Sequence, residues 1–511
     1  MIKIYTFGFD YAYDIIHLVK IFCSEKEIEV LREKDREKYI NDAEYKNLIN
    51  QVNLTSKINL NIDKDLDINI IIRLEDIDGK KRVSLFFFYG INLFNISRKE
   101  LKNTSIKNIV KVLLYDVFSI NFKTSSPWGI LVGIRPVKIV HELFDKGYEE
   151  NEVDDILYEE YRVSKDKRQL IIKTAKNERR FLYPIDKKKI SIYICIPFCR
   201  TRCTYCSFPS NSSIKKSKLI SPYVKALILE LESMLKYLNS REFDIDCLYI
   251  GGGTPTTLSA EQLEEIFLKL QEYIDLKKLK EFTVEAGRPD TINKEKFKVM
   301  KKYFVNRVCI NPQTMNDETL KKIGRDHTSS DIVNVFNLAR EFEFESINMD
   351  LIAGLTDEDE NDFKNTLDLI MRLRPENITV HTLAIKRASY LNENKENQIL
   401  TDSEIVKNML SLSKSYTEDN LYFPYYLYRQ KNMLGNFENI GYSLKGHESL
   451  YNMRIMEERH TIVGVGAGSA SKFCYPLENR FERFNNIKGL EEYILRFDEL
   501  VKKKIDLLDQ I

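Results

Sequence analysis

From Ile190 to Leu383, short β-rich runs alternate with amphipathic helical stretches, and this alternation constrains the chain more than any other feature. The β-rich runs are Ile190–Ile196, Asp246–Ile250, Glu281–Glu285, Val305–Asn311, Ser346–Leu351 and Asn377–Leu383. Between them lie helical stretches such as Tyr223–Leu238, Ala260–Ile274, Lys294–Lys302, Ser330–Phe342 and Asp359–Leu373. Strand and helix in turn imply βα units around a parallel sheet. Right-handed crossovers curl about six such units into a partial barrel, with functional loops at the C-terminal strand ends. The expected fold class is therefore α/β, with a partial (β/α)6 barrel over residues 186–400.

The flanking sequence reads differently. Residues 1–125 mix strands and helices: Ile68–Leu74 and Val83–Tyr89 are β-rich, and Asp78-Gly79 between them suits the positive φ of a tight hairpin turn. Ser105–Phe118 has helical spacing. This predicts an N-terminal α/β domain, and no motif in it names a ligand. Residues 126–185 read as a helical connector, and residues 401–511, with tyrosine-rich and glycine-rich segments, as a C-terminal mixed region.

The 78 basic residues nearly cancel the 77 acidic ones, leaving a net charge of +1. That balance gives no reason to expect nucleic acid or an anionic membrane as a partner. No stretch reaches the roughly 18–20 apolar residues that span a bilayer. The opening MIKIYTFGFDYAYD lacks the pattern of a secretory signal. A cytoplasmic location is expected, where cysteines stay reduced and a tight group of them reads as metal-binding or redox before disulfide.

Such a group occurs in YICIPFCRTRCTYCSF, Tyr193–Phe208. Cys199, Cys203 and Cys206 have C-x3-C-x2-C spacing directly after the first barrel strand. Soft thiolates on one loop suit an iron–sulfur cluster or zinc. Three ligands to a four-iron cluster leave one iron open, as a reactive centre needs. Arg200 and Arg202 would offset the negative charge. Zinc and plain buried cysteines are the competing readings, and Cys195 is a further thiol upstream in the strand. Gly251, Gly252 and Gly253 follow the second strand in YIGGGTPTTL. Glycines let a backbone approach a ligand closely, although such a run alone is usually a tight βα turn. It is no phosphate loop, because G-x4-G-K-[ST] is missing.

On these motifs the chain resembles radical S-adenosylmethionine (SAM) enzymes, and among them the oxygen-independent coproporphyrinogen III oxidase (dehydrogenase) family. The cysteine signature with Tyr205 before its last cysteine carries the resemblance, together with the preceding Y-x-x-I-P-F-C. It covers residues 190–390 well and extends loosely to GVGAGSAS, Gly464–Ser471. The N-terminal WGILVGIRP is similar to a branch with an extra N-terminal domain.

The resemblance implies a radical SAM barrel with a [4Fe–4S] cluster on Cys199, Cys203 and Cys206, and at least one SAM, with a second SAM-like ligand left open. It also implies SAM contacts at Tyr193, Tyr205, Gly252, Gly253, Thr254, Glu285, Gln313, Arg325, Asp350 and Ala384. The implied reaction makes a 5′-deoxyadenosyl radical, abstracts hydrogen from a propionate, and loses CO2 and an electron to leave a vinyl group. The partners it implies are a tetrapyrrole substrate and a reduced flavodoxin or ferredoxin-type electron donor. Without the resemblance, Asn316, Asp317 and Asp350 read equally as caps, Arg325 as a surface ion pair, and the tyrosines as core.

Two departures stand out. Cys195 replaces the family's usual histidine. Phe208 stands where the well-studied oxidases have a fourth cysteine, and it offers a flat apolar surface for stacking on adenine; the family's heme chaperones also have an aromatic there. Cys23, Cys247, Cys309 and Cys474 read as scattered buried thiols. His327, His381, His447 and His460 are candidates for propionate or iron contacts, with structural roles as the plainer reading. Arg387, Arg429 and Lys431 are candidate propionate partners, since such cations pair with carboxylates. The expected function is oxidative decarboxylation of coproporphyrinogen III to protoporphyrinogen IX. A heme-binding chaperone, or a radical SAM enzyme on another substrate, are the rivals.

Overall fold

The runs rich in valine and isoleucine become strands close to where the sequence places them. The computed structural model describes residues 1–511 except 24, 41, 42, 54–66, 78, 91, 101–104, 134, 207, 209, 210, 385–400, 431–436 and 479. It divides into two units, residues 1–133 with 140–172, and residues 134–139 with 173–511.

The first unit is a five-stranded sheet of order β2-β1-β3-β4-β5, with β1 (Ile2–Phe7), β2 (Ile28–Arg32), β3 (Ile68–Ile77), β4 (Lys80–Tyr89) and β5 (Asn92–Glu100). The β3–β4 hairpin forms at the expected place, pairing Ile77 with Lys80, and Gly79 takes φ +75°; residue 78 lies outside the described residues. Strand alternation splits the apolar residues between two faces. Ile4, Ile70 and Phe87 pack with α1 (Ala12–Val19) and with the later helix Ile106–Phe122, whereas Tyr5, Ile71 and Phe88 pack with α2 (Ala43–Asn53). That later helix is α3. The helices α4 (Pro136–Asp145), α5 (Glu150–Glu159) and α6 (Lys165–Leu182) follow.

In the second unit the six predicted strands form: β6 (Lys189–Ile196), β9 (Asp244–Gly252), β10 (Glu281–Gly287), β11 (Arg307–Ile310), β12 (Ser346–Ala353) and β13 (Asn377–Thr382). Two short strands, β7 (Phe198–Cys199) and β8 (Asn211–Ser212), precede β9. The six are parallel and adjacent in chain order. They are joined through α7 (Ser217–Ser240), α8 (Ala260–Gln271), α9 (Lys294–Lys302), α10 (Asp317–Lys322), α11 (Ser329–Glu341) and α12 (Glu360–Leu373). This is a mixed α/β chain with the radical SAM type of partial barrel.

After α13 (Ser403–Asp419), the C-terminal residues extend the sheet at both edges. β14 (Phe423–Tyr428) and β15 (Asn439–Ser443) add antiparallel beyond β13. Beyond β6 lie β16 (Thr461–Val465), β17 (Ala470–Tyr475) and β18 (Arg480–Asn485), reached after α14 (Leu450–Glu457). The chain closes with α15 (Leu490–Leu508).

The parallel strands alternate in polarity. Ile192, Ile194, Leu248, Ile250, Phe282, Val284, Val308, Met349 and Val380 are buried on the helix-covered face. Tyr193, Cys195, Tyr249, Glu285, Arg307, Cys309, Asn348, Asp350, Thr379 and His381 point to the other side, where they line a cavity. Parallel strands packed on both faces usually read as continuous apolar runs; here the concave face carries functional groups.

The N-terminal strand ends are closed by α14. Glu281 accepts from Leu450 N–H (2.5 Å), Tyr451 N–H (3.4 Å) and Ser449 Oγ (3.0 Å), capping that helix. Arg454 forks onto both Asp246 oxygens, at 2.5 and 3.0 Å. Among the described residues, no helix is long and apolar enough to cross a membrane.

Candidate active site

The cysteine loop begins where β6 ends. The β7–β8 pair pinches its base, with Asn211 N–H on Pro197 O (2.8 Å) and Ser213 N–H on Cys199 O (2.9 Å). Cys206 N–H bonds Cys203 O at 3.1 Å, so the last two cysteines share a turn. Later strand ends hold the loop from outside. Thr204 N–H donates to Ile323 O (3.1 Å), Thr201 Oγ1 to Gly324 O (2.8 Å), and Arg288 Nη1 to Thr201 Oγ1 (2.6 Å). Burial pushes the Cys199 thiol up to about 11, against the Thr254 hydroxyl, which donates to its sulfur at 3.6 Å, and the Arg288 charge. Arg288 acts on the Cys199 thiol, and Arg325 lies beside Cys203. Arg200 turns to Asp290 at 3.8 Å, and Arg202 is exposed.

The glycines are required mainly by close packing of the two loops. Gly253 N–H donates to Ile196 O (2.8 Å) and Thr254 N–H to Phe198 O (2.7 Å). A Cβ on Gly253 would stand 2.5 Å from Phe198 O, and Gly252 has φ +109°. Gly252 and Gly253 also border the cavity, so the same residues serve packing and approach.

Most of the other predicted contacts converge on this cavity of about 520 Å³: Tyr193, Tyr205, Cys206, Phe208, Glu285, Gln313, Asp350 and Ala384 all line it. Phe208 is 58% exposed there. Glu285 accepts from Tyr249 OH at 2.6 Å, and burial pushes its carboxyl up to about 7. Asp350 behaves oppositely: burial pushes it up, but His381 at 3.6 Å and Asn348, donating at 2.7 Å, hold it below its usual value. Gln313 adopts φ +70°, and its backbone bridges β12 through Asp350 O and Ile352 N–H, both at 2.9 Å.

Thr254 and Arg325 stand behind the wall. Arg325 is buried and donates to Asn311 O (2.6 Å) and Tyr205 OH (3.2 Å), so it is no surface ion pair. Asn316 caps α10, accepting from Glu318 and Thr319 N–H at 3.0 and 3.3 Å. Arg429 is buried with its Nε on Phe437 O at 3.5 Å and is not part of the cavity wall. Arg387 and Lys431 lie outside the described residues.

Sequence reading passed over Tyr249, Arg307, Asn348, Thr379 and Tyr451, all on the wall, and treated Cys309 as inert core. The missed signal was the polar member at every second position of strands whose other positions are aliphatic. Tyr451 stacks on Tyr249 with centroids 4.2 Å apart, and Tyr193 stacks on Tyr451 at 5.9 Å. Cys195 lines the wall as a thiol that burial pushes up to about 12.

The profile of the radical SAM superfamily matches residues 193–370. The oxygen-independent coproporphyrinogen-III oxidase-like protein HemZ of Bacillus subtilis is 38% identical over 410 residues, 80% of this chain and 82% of its own. The heme chaperone HemW of Lactococcus lactis is 30% identical over 288 residues, covering 56% of this chain and 70% of that one. Among solved structures, coproporphyrinogen III oxidase (HemN) from Escherichia coli matches with a TM-score of 0.49 at 22% identity, over 64% of this chain and 73% of that one. The chain belongs to the radical SAM superfamily and, within it, to the oxygen-independent coproporphyrinogen-III oxidase-like proteins.

Superfamily membership implies a [4Fe–4S] cluster and SAM. The donor set suits this cluster: Cys199, Cys203 and Cys206 are free soft thiols on one loop, and three of them leave one iron open. A glycine substitution tests the loop contact: Gly253→Ala should lower 5′-deoxyadenosine formation about 100-fold, because displacing the cysteine loop by about 1 Å suffices. Wild-type formation in this variant would show that the contact is dispensable.

Proposed function

We propose that this protein is an enzyme of heme biosynthesis that decarboxylates coproporphyrinogen III oxidatively, without oxygen, to protoporphyrinogen IX. The observation that carries this reading is the cavity, which runs from the cysteine and glycine loops down to an aromatic and polar interior beyond the residues suited to SAM. The kinship with a coproporphyrinogen-III oxidase-like protein over 80% of the chain supports it.

Cys199, Cys203 and Cys206 would hold the cluster, and Gly252, Gly253 and Glu285 would receive the amino end of SAM, with Thr254 behind them. When bound, these cofactors supply a 5′-deoxyadenosyl radical that removes a hydrogen atom from the substrate. The Glu285 carboxyl, poised near 7, ionises fully beside an ammonium group and so anchors it. Asp350, kept ionised by His381 and Asn348, accepts hydroxyl donors from a ribose. Phe208 offers its exposed ring to the adenine. Gln313, Arg325, Tyr193, Tyr205 and Ala384 shape the rest of the SAM site. The partners are a tetrapyrrole and a reduced flavodoxin or ferredoxin-type donor.

A second reading, a heme-binding chaperone, is favoured by the HemW relatives and by the aromatic residue at 208. Anaerobic reconstituted protein given SAM, a reductant and coproporphyrinogen III should release CO2 and form the divinyl product. SAM cleavage with that substrate unchanged would point to another radical reaction. Stable heme binding with neither outcome would establish the chaperone.

A further inference from the structure

The charged groups on the cavity wall are not equally provided for. Among the described residues, Glu285 is met by Tyr249 and Asp350 by His381, but Arg307 has no carboxylate partner. Arg307 is only 4% exposed. Its Nη1 donates to Asn377 Oδ1 and its Nη2 to His447 O, both at 2.5 Å. Both acceptors are neutral. A guanidinium has five N–H donors, so these two bonds position the group without neutralising it or using up its donors. A buried cation with no counter-ion is costly, and a ligand carrying the opposite charge recovers that cost.

The surroundings complete an acid-binding pocket. Tyr425, also on the wall, feels the Arg307 charge. Its hydroxyl accepts from Asn452 Nδ2 at 3.0 Å, which leaves its own proton to donate. Arg307 begins β11, level with Thr283 and Ser346, whereas Cys309 is level with Glu285 and Asn348. At about 3.3 Å per residue, Arg307 lies about 7 Å deeper than the Glu285 level. An acid group bound there therefore sits deeper than the Glu285 level.

We infer that Arg307, with Tyr425, is a carboxylate-binding site at the cavity floor that takes an acid arm of the substrate. This deepens the tetrapyrrole reading and rests on it. The substrate class it selects is a porphyrinogen with free propionates, entering arm first.

The test uses the full chain under anaerobic conditions, with coproporphyrin III and its tetramethyl ester as probes, followed by fluorescence titration. Wild-type protein should bind the acid more tightly than the ester. Arg307→Gln should weaken the acid about 10- to 100-fold, the range of a charge-assisted bidentate contact, and leave the ester unchanged; Arg307→Lys should recover part of the loss. Unchanged acid binding in Arg307→Gln, or equal losses for acid and ester, would overturn the assignment. If Arg307→Gln does not fold, the wild-type comparison decides, since equal affinity for acid and ester rules the site out.

SAM also carries a carboxylate. Loss of SAM binding in Arg307→Gln, with acid binding at the wild-type level, would therefore reassign the guanidinium to SAM. Arg307-dependent acid binding without turnover would sink the decarboxylation and leave the site standing. Turnover with normal acid binding in Arg307→Gln would do the reverse.

Discussion

Replacing Cys203 by alanine abolishes the brown absorbance of anaerobically reconstituted protein and takes SAM cleavage to background. The loop offers three thiols and no fourth, because Phe208 stands where a further cysteine could have served. Cys195 belongs to β6, not to the loop, and faces the cavity from within that strand. Two thiolates cannot hold a four-iron cluster against loss to solvent. The control is Cys474→Ala. That thiol is buried on β17 with its sulfur donating to His460 O at 3.1 Å, and its removal should leave the absorbance intact. Unchanged absorbance in Cys203→Ala would remove Cys203 from the ligand set and with it the proposed chemistry.

Glu230→Ala destabilises the protein by about 3–5 kcal/mol, the usual cost of breaking a buried ion pair from one side. Glu230 and Lys504 are both fully buried and paired with each other. Glu230 also accepts from Tyr493 OH (2.5 Å), Asn486 Nδ2 (2.8 Å) and Gly466 N–H (2.7 Å). Alanine leaves the Tyr493 hydroxyl and Gly466 N–H without this acceptor, Asn486 Nδ2 with Gly466 O at 3.0 Å and, among the described residues, the Lys504 ammonium with only Gly464 O at 2.9 Å. Burial already pushes that ammonium's pKa down, with Glu230 opposing; without the carboxylate it is pushed further. The effect reaches the site, because Gly466 lies against Cys195. A Cβ there would meet Cys195 O at 2.5 Å, and Tyr223 OH bonds the same oxygen at 2.5 Å. A fall in the urea midpoint, with slower SAM cleavage in the folded fraction, is the expected result. A midpoint within experimental error of wild type would refute the assignment of Glu230 as the anchor.

Legibility from the sequence followed the range of the interaction. The strands of the barrel and the helices between them rest on local periodicity, and they formed within a few residues of expectation. The three cysteines and three glycines were visible because each set belongs to one loop. Arg429, by contrast, looked suited to a propionate among its tyrosines, yet it is buried away from the cavity wall. Arg325, a SAM contact by resemblance but a surface ion pair by position alone, is buried against Tyr205. Nothing local distinguishes a basic residue facing a ligand from one facing its own fold.

The primary chain alone therefore specifies the βα succession, the thiol loop and the glycine turn that meets it, since neighbours in sequence make each of these. The tertiary structure alone decides that α14 closes the cavity floor, and that Glu230 and Lys504, 274 residues apart, brace the Gly466 turn. Among the described residues it also leaves the Arg307 charge without a carboxylate partner. Those outcomes depend on strand register and on contacts across the sheet, which periodicity along a single strand does not encode.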